Sequence, residues 1–533
     1  MSPLFRALAL FLLVLVLPAL AMRPLLPVDE TRYLSVAWEM FRDGDWLVPH
    51  LNGEPYSHKP PLLFWLVNLL WSFAGPLEWV ARLVAPAFGL VALALTATLA
   101  RRLWPGEDGG WTAATAPLIL VGTLLWAVFA TLTMFDTMLA VFALVAAHGL
   151  LDLQDARWRR GLLLFALATG FGALAKGPVI LVHVLAAALA ARIALGGAPR
   201  RQWSWLGLLA LGLLLGAALA LLWAVPAARQ GGPAYAEAIF LEQSAGRIVE
   251  SFAHRRPAWW YLALLPAITL PWCLLPGLWR RLPGALRRPD MGLRFCLLWF
   301  LTGLVAFSLV SGKQVHYLLP LLPPLALALA RILMPGLPAA ASGERAVAIL
   351  LPAAAAASFI GLGLLDLAGA LPGGLGGLPD WVRAAALPVG AAAAILAALA
   401  AFLPRGPLAP ALGCAGLVAA IHLAAGPHAR PYYDLTPIAT HVADLQAEGR
   451  PVAFLGRYQG QLDFLGRLQR PLTVLRPAEA RGWAEAHPAG AVLMVWRRDR
   501  PAPVPPAFLQ PYRNRLIGQW DAAEVATLLP AGP

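Results

Sequence analysis

Residues 53–74 read GEPYSHKPPLLFWLVNLLWSFA. The run from 61 to 74 is apolar, but a helix over it reaches only about 20 Å, short of the ~30 Å of hydrocarbon that a spanning helix must cross. His58 and Lys59 stand against Pro60 and Pro61 at its head. Whether this segment crosses a bilayer or lies along it decides the side on which every later loop falls. If it crosses, the Arg101/Arg102 doublet ends outside. If it lies in the interface as an amphipathic helix, the doublet falls inside, where Lys and Arg gather. We read it as interfacial.

The surrounding sequence has the composition of a membrane protein. Of 533 residues, 59% are hydrophobic and 13% charged, whereas a soluble chain carries about 25% charged residues. Apolar runs of membrane-crossing length recur, and in lipid a helix closes its own backbone hydrogen bonds. Residues 7–21, ending LPALA, have the form of a signal peptide with a small-residue cleavage site. An uncleaved first helix, running from inside to outside, fits the remaining chain better and is expected.

Further spans are expected near 79–100, 111–130, 137–151, 161–175, 178–195, 203–225, 258–279, 293–311, 317–333, 345–365, 382–402 and 410–426, about thirteen in all. The inside turns then carry Arg101/Arg102, Arg157/Arg159/Arg160, Arg200/Arg201, Arg280/Arg281, Arg287/Arg288, Arg331/Arg345 and Arg405. This positive-inside pattern accounts for much of the net charge of +13. The arginines form no single patch, so nucleic acid is not an expected partner. Cys273, Cys296 and Cys414 lie in or beside spans without a CxxC or a disulfide framework, and read as apolar fillers.

An odd number of spans places the end of the chain outside. From about 427 charge rises and short β-rich runs appear: PVAFLG (451–456), PLTVL (471–475) and AVLMVW (491–496), with helical patterns at 436–448 and 478–486. Residues 1–426 are therefore expected to form a transmembrane unit with a first outer loop over 22–78, and 427–533 a small outer α/β domain. No phosphate-binding glycine motif accompanies its strands, which argues against nucleotide binding there.

The polar residues that the inside rule leaves over all fall on the outer side. They are Asp29, Glu30, Arg32, His58 and Lys59 in the first loop; Asp136 and Lys176 in tight turns; Glu242, Arg247, His254, Arg255 and Arg256 in a long loop; and Lys313, His316 and Tyr317. A charge at a helix end in a membrane is expensive unless it is paired or used. Carboxylates, cations and histidines gathered on one face suit an anionic, membrane-embedded substrate such as a lipid phosphate. Each group also has a plain structural reading. Asp29 and Glu30 can cap the helix that follows, Asp136 can form a turn, and Lys176-Gly-Pro reads as a helix-end anchor. His254-Arg-Arg can sit among headgroups beside Trp259, Trp260 and Tyr261. Lys59, fixed by two prolines at a helix start where N–H groups attract anions, favours function.

The string DETRYLSVAWEMFRDGDWLVPHLNGEPYSHKPPLLFWLVNLLWSFAG (29–75) resembles the first periplasmic loop of the bacterial aminoarabinose lipid A transferases. These are membrane glycosyltransferases of the GT-C fold, related to the protein O-mannosyltransferases. The resemblance continues through MFDTML, AKGP, the 242–261 loop, KQVHYLLP and the C-terminal α/β segment. It implies thirteen helices, juxtamembrane helices in the first loop and a periplasmic C-terminal domain. It also implies transfer of a sugar from a polyprenyl phosphate, usually undecaprenyl phosphate, to an acceptor such as lipid A at the outer face of the inner membrane.

By this resemblance Asp29 is the first choice, and Asp136 the second, for a carboxylate that orients the acceptor or takes its proton. Lys59, Arg32 and Lys313 are candidates for the donor phosphate, where negative charge develops, with Glu30, Glu242, Arg247, Arg255, His316 and Tyr317 lining the same substrate site. The family carries Glu-Lys-Pro-Pro where this chain has His58-Lys59-Pro60-Pro61. His58 and His254 are candidate ligands for a divalent metal, zinc or magnesium. The exchange leaves metal use and aminoarabinose specificity open. Transfer of another hexose or pentose to a glycan, lipid or protein is the close alternative. A lipid flippase is the alternative of a different class; against it stand the one-sided polar cluster and the absence of a visible repeat.

Overall fold

A computed structural model of the chain describes residues 3–195, 199–241, 255–334, 343–403, 406–499 and 504–528. Ten helical stretches among these are long and apolar enough to cross a membrane. The protein is thus multi-pass and helical. Leu62–Ala74, at 13 residues, is not one of the ten. It buries Leu63, Phe64, Val67 and Trp71 and exposes Leu69, Leu70 and Phe73.

Among the described residues, two of the expected spans are interrupted. The segment 111–130 is divided into Glu107–Gly122 and Leu124–Phe129 by extended backbone at Thr123. The segment 258–279 is divided into Trp260–Ile268, a 3-10 turn Trp272–Leu274, and Pro276–Arg287. A break inside an apolar layer must find new partners for its backbone groups. These two breaks supply each other: Leu124 N–H donates to Leu270 O at 2.8 Å, and Trp272 Nε1 donates to Ile119 O and Thr123 Oγ1, both at 3.0 Å. The stretch Trp158–Ala194 is two helices, Trp158–Lys176 and Ile180–Ala194, overlapping the expected spans 161–175 and 178–195 and parted by a 3-10 turn that Gly177 opens at φ +75°.

The helix Asp136–Gln154 has 19 residues and is about 28 Å long. It separates two polar ends. At one lies Asp136. At the other, the fully buried Asp152 pairs with Arg102 at 2.8 Å and Arg160 at 3.2 Å. Arginines from the expected inside turns therefore collect at the end away from Asp136.

The chain enters its last segment through the helix Leu408–Tyr433. A five-stranded sheet follows, in the order 473–475, 452–455, 491–497, 515–521, 508–512. The first three strands are parallel and the last two antiparallel to their neighbours. Val452–Leu455, Thr473–Leu475 and Ala491–Arg497 overlap the three expected runs. The hairpin of Phe508–Tyr512 and Arg515–Asp521 was not read from sequence; its turn is made by Arg513 at φ +56° rather than by a glycine.

The segment that precedes Leu62–Ala74 folds between this sheet and the bundle. It holds the helix Asp29–Asp43, ended by Gly44 at φ +72°, and a short hairpin pairing His50–Leu51 with Glu54–Pro55. Trp38 Nε1 and Arg42 Nη1 both donate to Leu468 O, at 3.2 and 2.9 Å. Asn52 exchanges two hydrogen bonds with the backbone of Leu472, at 2.9 and 2.8 Å. Trp71 stacks on Phe464 with ring centroids 5.1 Å apart. The loop is thereby held by its C-terminal partner as well as by the bundle.

Candidate functional site

Asp136 opens one helix and Lys176 closes the next, both at the same end of the bundle. The positive pole of a helix favours a carboxylate and the negative pole a cation, so each charge sits where its own backbone supports it. Lys176 Nζ lies 2.6 Å from Asp136 Oδ1, and the side chains are 9% and 3% exposed. Asp136 Oδ2 is buried and has no hydrogen-bond partner among the described residues.

Residues from distant parts of the chain surround this pair. Lys176 Nζ is 4.8 Å from the centre of the Tyr317 ring. Tyr317 meets His316 edge-on at 4.9 Å, and His316 packs on Phe129 at 5.6 Å. Lys59 Nζ lies 5.7 Å from the ring of Phe135, the residue before Asp136. Phe135 in turn packs on Tyr33 at 4.9 Å and Phe64 at 6.1 Å. His316 is within electrostatic reach of Asp136, Lys176, Asp29 and Lys59 together.

Asp29 is the first residue of its helix, and its side chain is 51% exposed. Arg32 Nη2 donates to Asp29 Oδ1, while Arg32 Nη1 donates to Gln459 Oε1 at 3.1 Å. Burial would lower the Arg32 pKa, but Tyr56, Tyr33 and Asp29 around it raise it above the ordinary arginine value. Burial, aided by the Asp29 charge, raises the Tyr33 phenol well above its own. The group therefore offers a fixed arginine cation beside a carboxylate that solvent can reach.

Two expected substrate residues are used internally instead. Glu30 is 2% exposed and forms an ion pair with Arg23. It also accepts from Thr133 N at 2.8 Å and Leu26 N at 3.1 Å. Burial would raise its pKa, but Arg23, Arg82 and the Thr133 N–H prevail and hold it below the usual glutamate value. Glu30 thus ties the first loop to the turn before Asp136, and its carboxylate is not open to a ligand. Lys313 is 3% exposed; its Nζ donates to Arg256 O at 3.0 Å and to Val310 O. It holds residue 256 against the 310–312 segment, where Arg255 and Gly312 also bridge. Arg255 itself is exposed.

Glu242, Arg247 and His254 lie outside the described residues. His58 packs near Tyr56, ring centres 5.3 Å apart. Among the described residues no three His, Cys, Asp or Glu side chains gather as a metal-holding group.

The sequence reading takes Lys176 for a helix-end anchor, whereas the structure pairs it with Asp136; Gln459 is the site residue that the sequence reading does not single out. Lys176 carried a signal: a chain that descends from 136 and returns by 176 brings both charges to one level. Gln459 carried none, since nothing local connects it with the first loop.

The family described as Dolichyl-phosphate-mannose-protein mannosyltransferase matches residues 58–226, a stretch that includes Lys59, Asp136 and Lys176. Two proteins of Sodalis glossinidius (strain morsitans) are similar to this chain. They are named Undecaprenyl phosphate-alpha-4-amino-4-deoxy-L-arabinose arabinosyl transferase 1 and 2. The first is 34% identical over 334 residues, covering 61% of this chain and 57% of that protein. The second is 33% identical over 338 residues, covering 62% and 58%. The chain thus spans less than two thirds of the length of these curated relatives. Crystal structures of ArnT from Cupriavidus metallidurans have the same fold. The apo state superposes with a TM-score of 0.73 at 24% identity, and the state bound to undecaprenyl phosphate with 0.71 at 22%. Both cover 99% of this chain and 98% of that one. The resemblance read from the 29–75 string is borne out, and the chain has the polytopic helical architecture of ArnT, a GT-C fold.

Proposed function

We propose that this protein is a glycosyltransferase that moves a sugar from a polyprenyl phosphate to an acceptor at the periplasmic face of a bacterial inner membrane. The observation that carries this reading is the convergence of Asp29, Lys59, Asp136, Lys176 and His316 at one end of the bundle. Likeness to the arabinosyl transferases makes undecaprenyl phosphate the preferred carrier, and 4-amino-4-deoxy-L-arabinose with lipid A the first donor and acceptor to try. His58, in the place of the family's glutamate, keeps a different hexose or pentose as the second reading. The proposed topology has thirteen spans, a cytoplasmic N-terminus and the sheet-bearing segment in the periplasm.

In this reaction the bond between the anomeric carbon and the phosphate oxygen breaks, and its electron pair stays on the phosphate. The group that departs is the phosphate monoester of the carrier, a weak base and a good leaving group, so no acid need protonate it. Negative charge develops on the carrier phosphate, and in this reading Lys59 and Arg32 stabilise it. Lys176 holds Asp136 in place through their 2.6 Å contact. The acceptor oxygen forms the new bond; where it belongs to a hydroxyl, its proton passes to the Asp29 carboxylate. A phosphate acceptor has no such proton to lose, and Asp29 then only orients it.

The test uses purified protein in lipid nanodiscs, a panel of undecaprenyl-phosphate sugars and a lipid A-containing membrane extract. Mass spectrometry should detect undecaprenyl phosphate released by the wild type and not by Asp29→Asn or Lys59→Ala. No release from any donor, together with protein-dependent movement of the donor between leaflets, would replace this reading with a flippase.

A further inference from the structure

The loop GRYQGQLD (456–463) leaves the strand Val452–Leu455 of the C-terminal sheet and reaches the helix Asp29–Asp43. It is held along its whole length. Gly456 N–H donates to Leu475 O at 2.9 Å. Tyr458 O–H donates to Asp463 Oδ1 at 2.5 Å, and Leu462 N–H donates back to the Tyr458 oxygen at 3.3 Å. Gln459 N–H donates to Oε1 of the buried Gln461 at 2.9 Å. Ser35 locks the loop to the helix: its hydroxyl donates to Gly460 O at 2.5 Å and accepts from Phe464 N at 3.1 Å. Gly460 sits at φ +70°, the left-handed region that favours glycine, and a Cβ there would also press on Leu51 Cδ1 at 2.2 Å.

This anchored loop presents one side chain to the candidate site. Gln459 Oε1 accepts from Arg32 Nη1 at 3.1 Å, while Arg32 Nη2 holds Asp29. A planar guanidinium gripped at both terminal nitrogens has its orientation fixed, and a carboxylate bonded to it is fixed in turn. Sheet and site are 427 residues apart at this contact.

We infer that Gln459 is a positioning residue for the transfer reaction: it fixes Arg32, and through Arg32 the Asp29 carboxylate, so that the C-terminal segment completes the site. The inference rests on the transferase reading above.

Two double-mutant cycles on the full chain in nanodiscs test it, with Gln459→Leu and Arg32→Met as the single changes. The first reads thermal unfolding, which reports the contact whatever the reaction is. The second reads release of undecaprenyl phosphate. Gln459→Leu should lower kcat at least about tenfold with KM for the donor changed less than about threefold. Gln459→Glu, which keeps an acceptor for Arg32, should recover kcat to within about threefold of wild type and also serves if the leucine variant folds poorly. In the Arg32→Met background Gln459→Leu should have no further effect on kcat. An equal loss in both backgrounds, or thermal coupling with an unchanged kcat, would overturn the inference alone. Absence of release by the wild type would overturn it together with the transferase reading.

Discussion

Lys176 Nζ lies 2.6 Å from Asp136 Oδ1, and the two residues close the same end of consecutive helices that run in opposite directions. Both side chains are nearly buried. A pair of this kind stabilises little by itself, but breaking it strands a charge. Lys176→Met should therefore destabilise the protein by about 3–5 kcal/mol. Adding Asp136→Asn should recover part of that loss in thermal unfolding while sugar transfer stays abolished. Full recovery of transfer in the double variant would show that the pair serves only the fold.

Asp29 is half exposed, so Asp29→Asn should leave the unfolding temperature almost unchanged. Its turnover on a hydroxyl acceptor should fall by about 10²–10⁴-fold, the usual contribution of a general base. On a phosphate acceptor the fall should be much smaller. Comparing the two acceptor classes with one variant thus tests the base role and reports the acceptor chemistry.

Glu30 gives an acid-side prediction. Its folded pKa is depressed, chiefly by Arg23 and Arg82 acting against burial. The stability it contributes is therefore complete above the ordinary glutamate pKa and is lost as pH falls through the lower folded value. Glu30→Gln should destabilise at neutral pH by about 3–5 kcal/mol, because Arg23 is left buried without its charge partner. It should also flatten the stability curve below about pH 4.3. An unchanged acid limb in thermal unfolding would refute this assignment.

Asp463 has the opposite sign. Burial first, and then the nearby Glu39 carboxylate, push its pKa up to about 7, against the pull of Tyr458 and Arg42. Glu39 is also raised, by burial acting against the Gly53 and Asn52 N–H groups and Arg42. A carboxyl with a raised folded pKa holds a proton that the unfolded chain gives up. Its effect is most favourable below the ordinary carboxylate pKa and is lost as pH rises through about 7. Asp463→Asn should remove that downward slope between about pH 4 and 7, read by hydrogen exchange in 452–521 and 29–43. A wild-type slope that survives the substitution would place the titrating group elsewhere.

The residues differ in how far they could be read in advance. Asp136 and Lys59 stood out because charge beside apolar runs is costly. His316 stood out as a polar residue between two spans. Glu30 and Lys313 stood out for the same reason, yet the structure turns one toward Arg23 and the other toward backbone carbonyls. The breaks at Thr123 and near Leu270 were hidden inside runs of uniform hydrophobicity. Hydropathy sums over a window and does not register a local change of backbone, although prolines at 266 and 271 stand near the second break.

The sequence by itself determined that the chain is polytopic and helical, that 61–74 is too short to span, and that basic and mixed charges alternate between loops. These are local properties: they follow from the transfer energy of each residue and the length of each run. Only the tertiary structure decided that Asp136 pairs with Lys176, that Glu30 is spent on Arg23, and that Gln459 arrives at Arg32 from the far end of the chain. Such pairings depend on the rotation of each helix and on how distant segments dock, and no window of sequence contains that information.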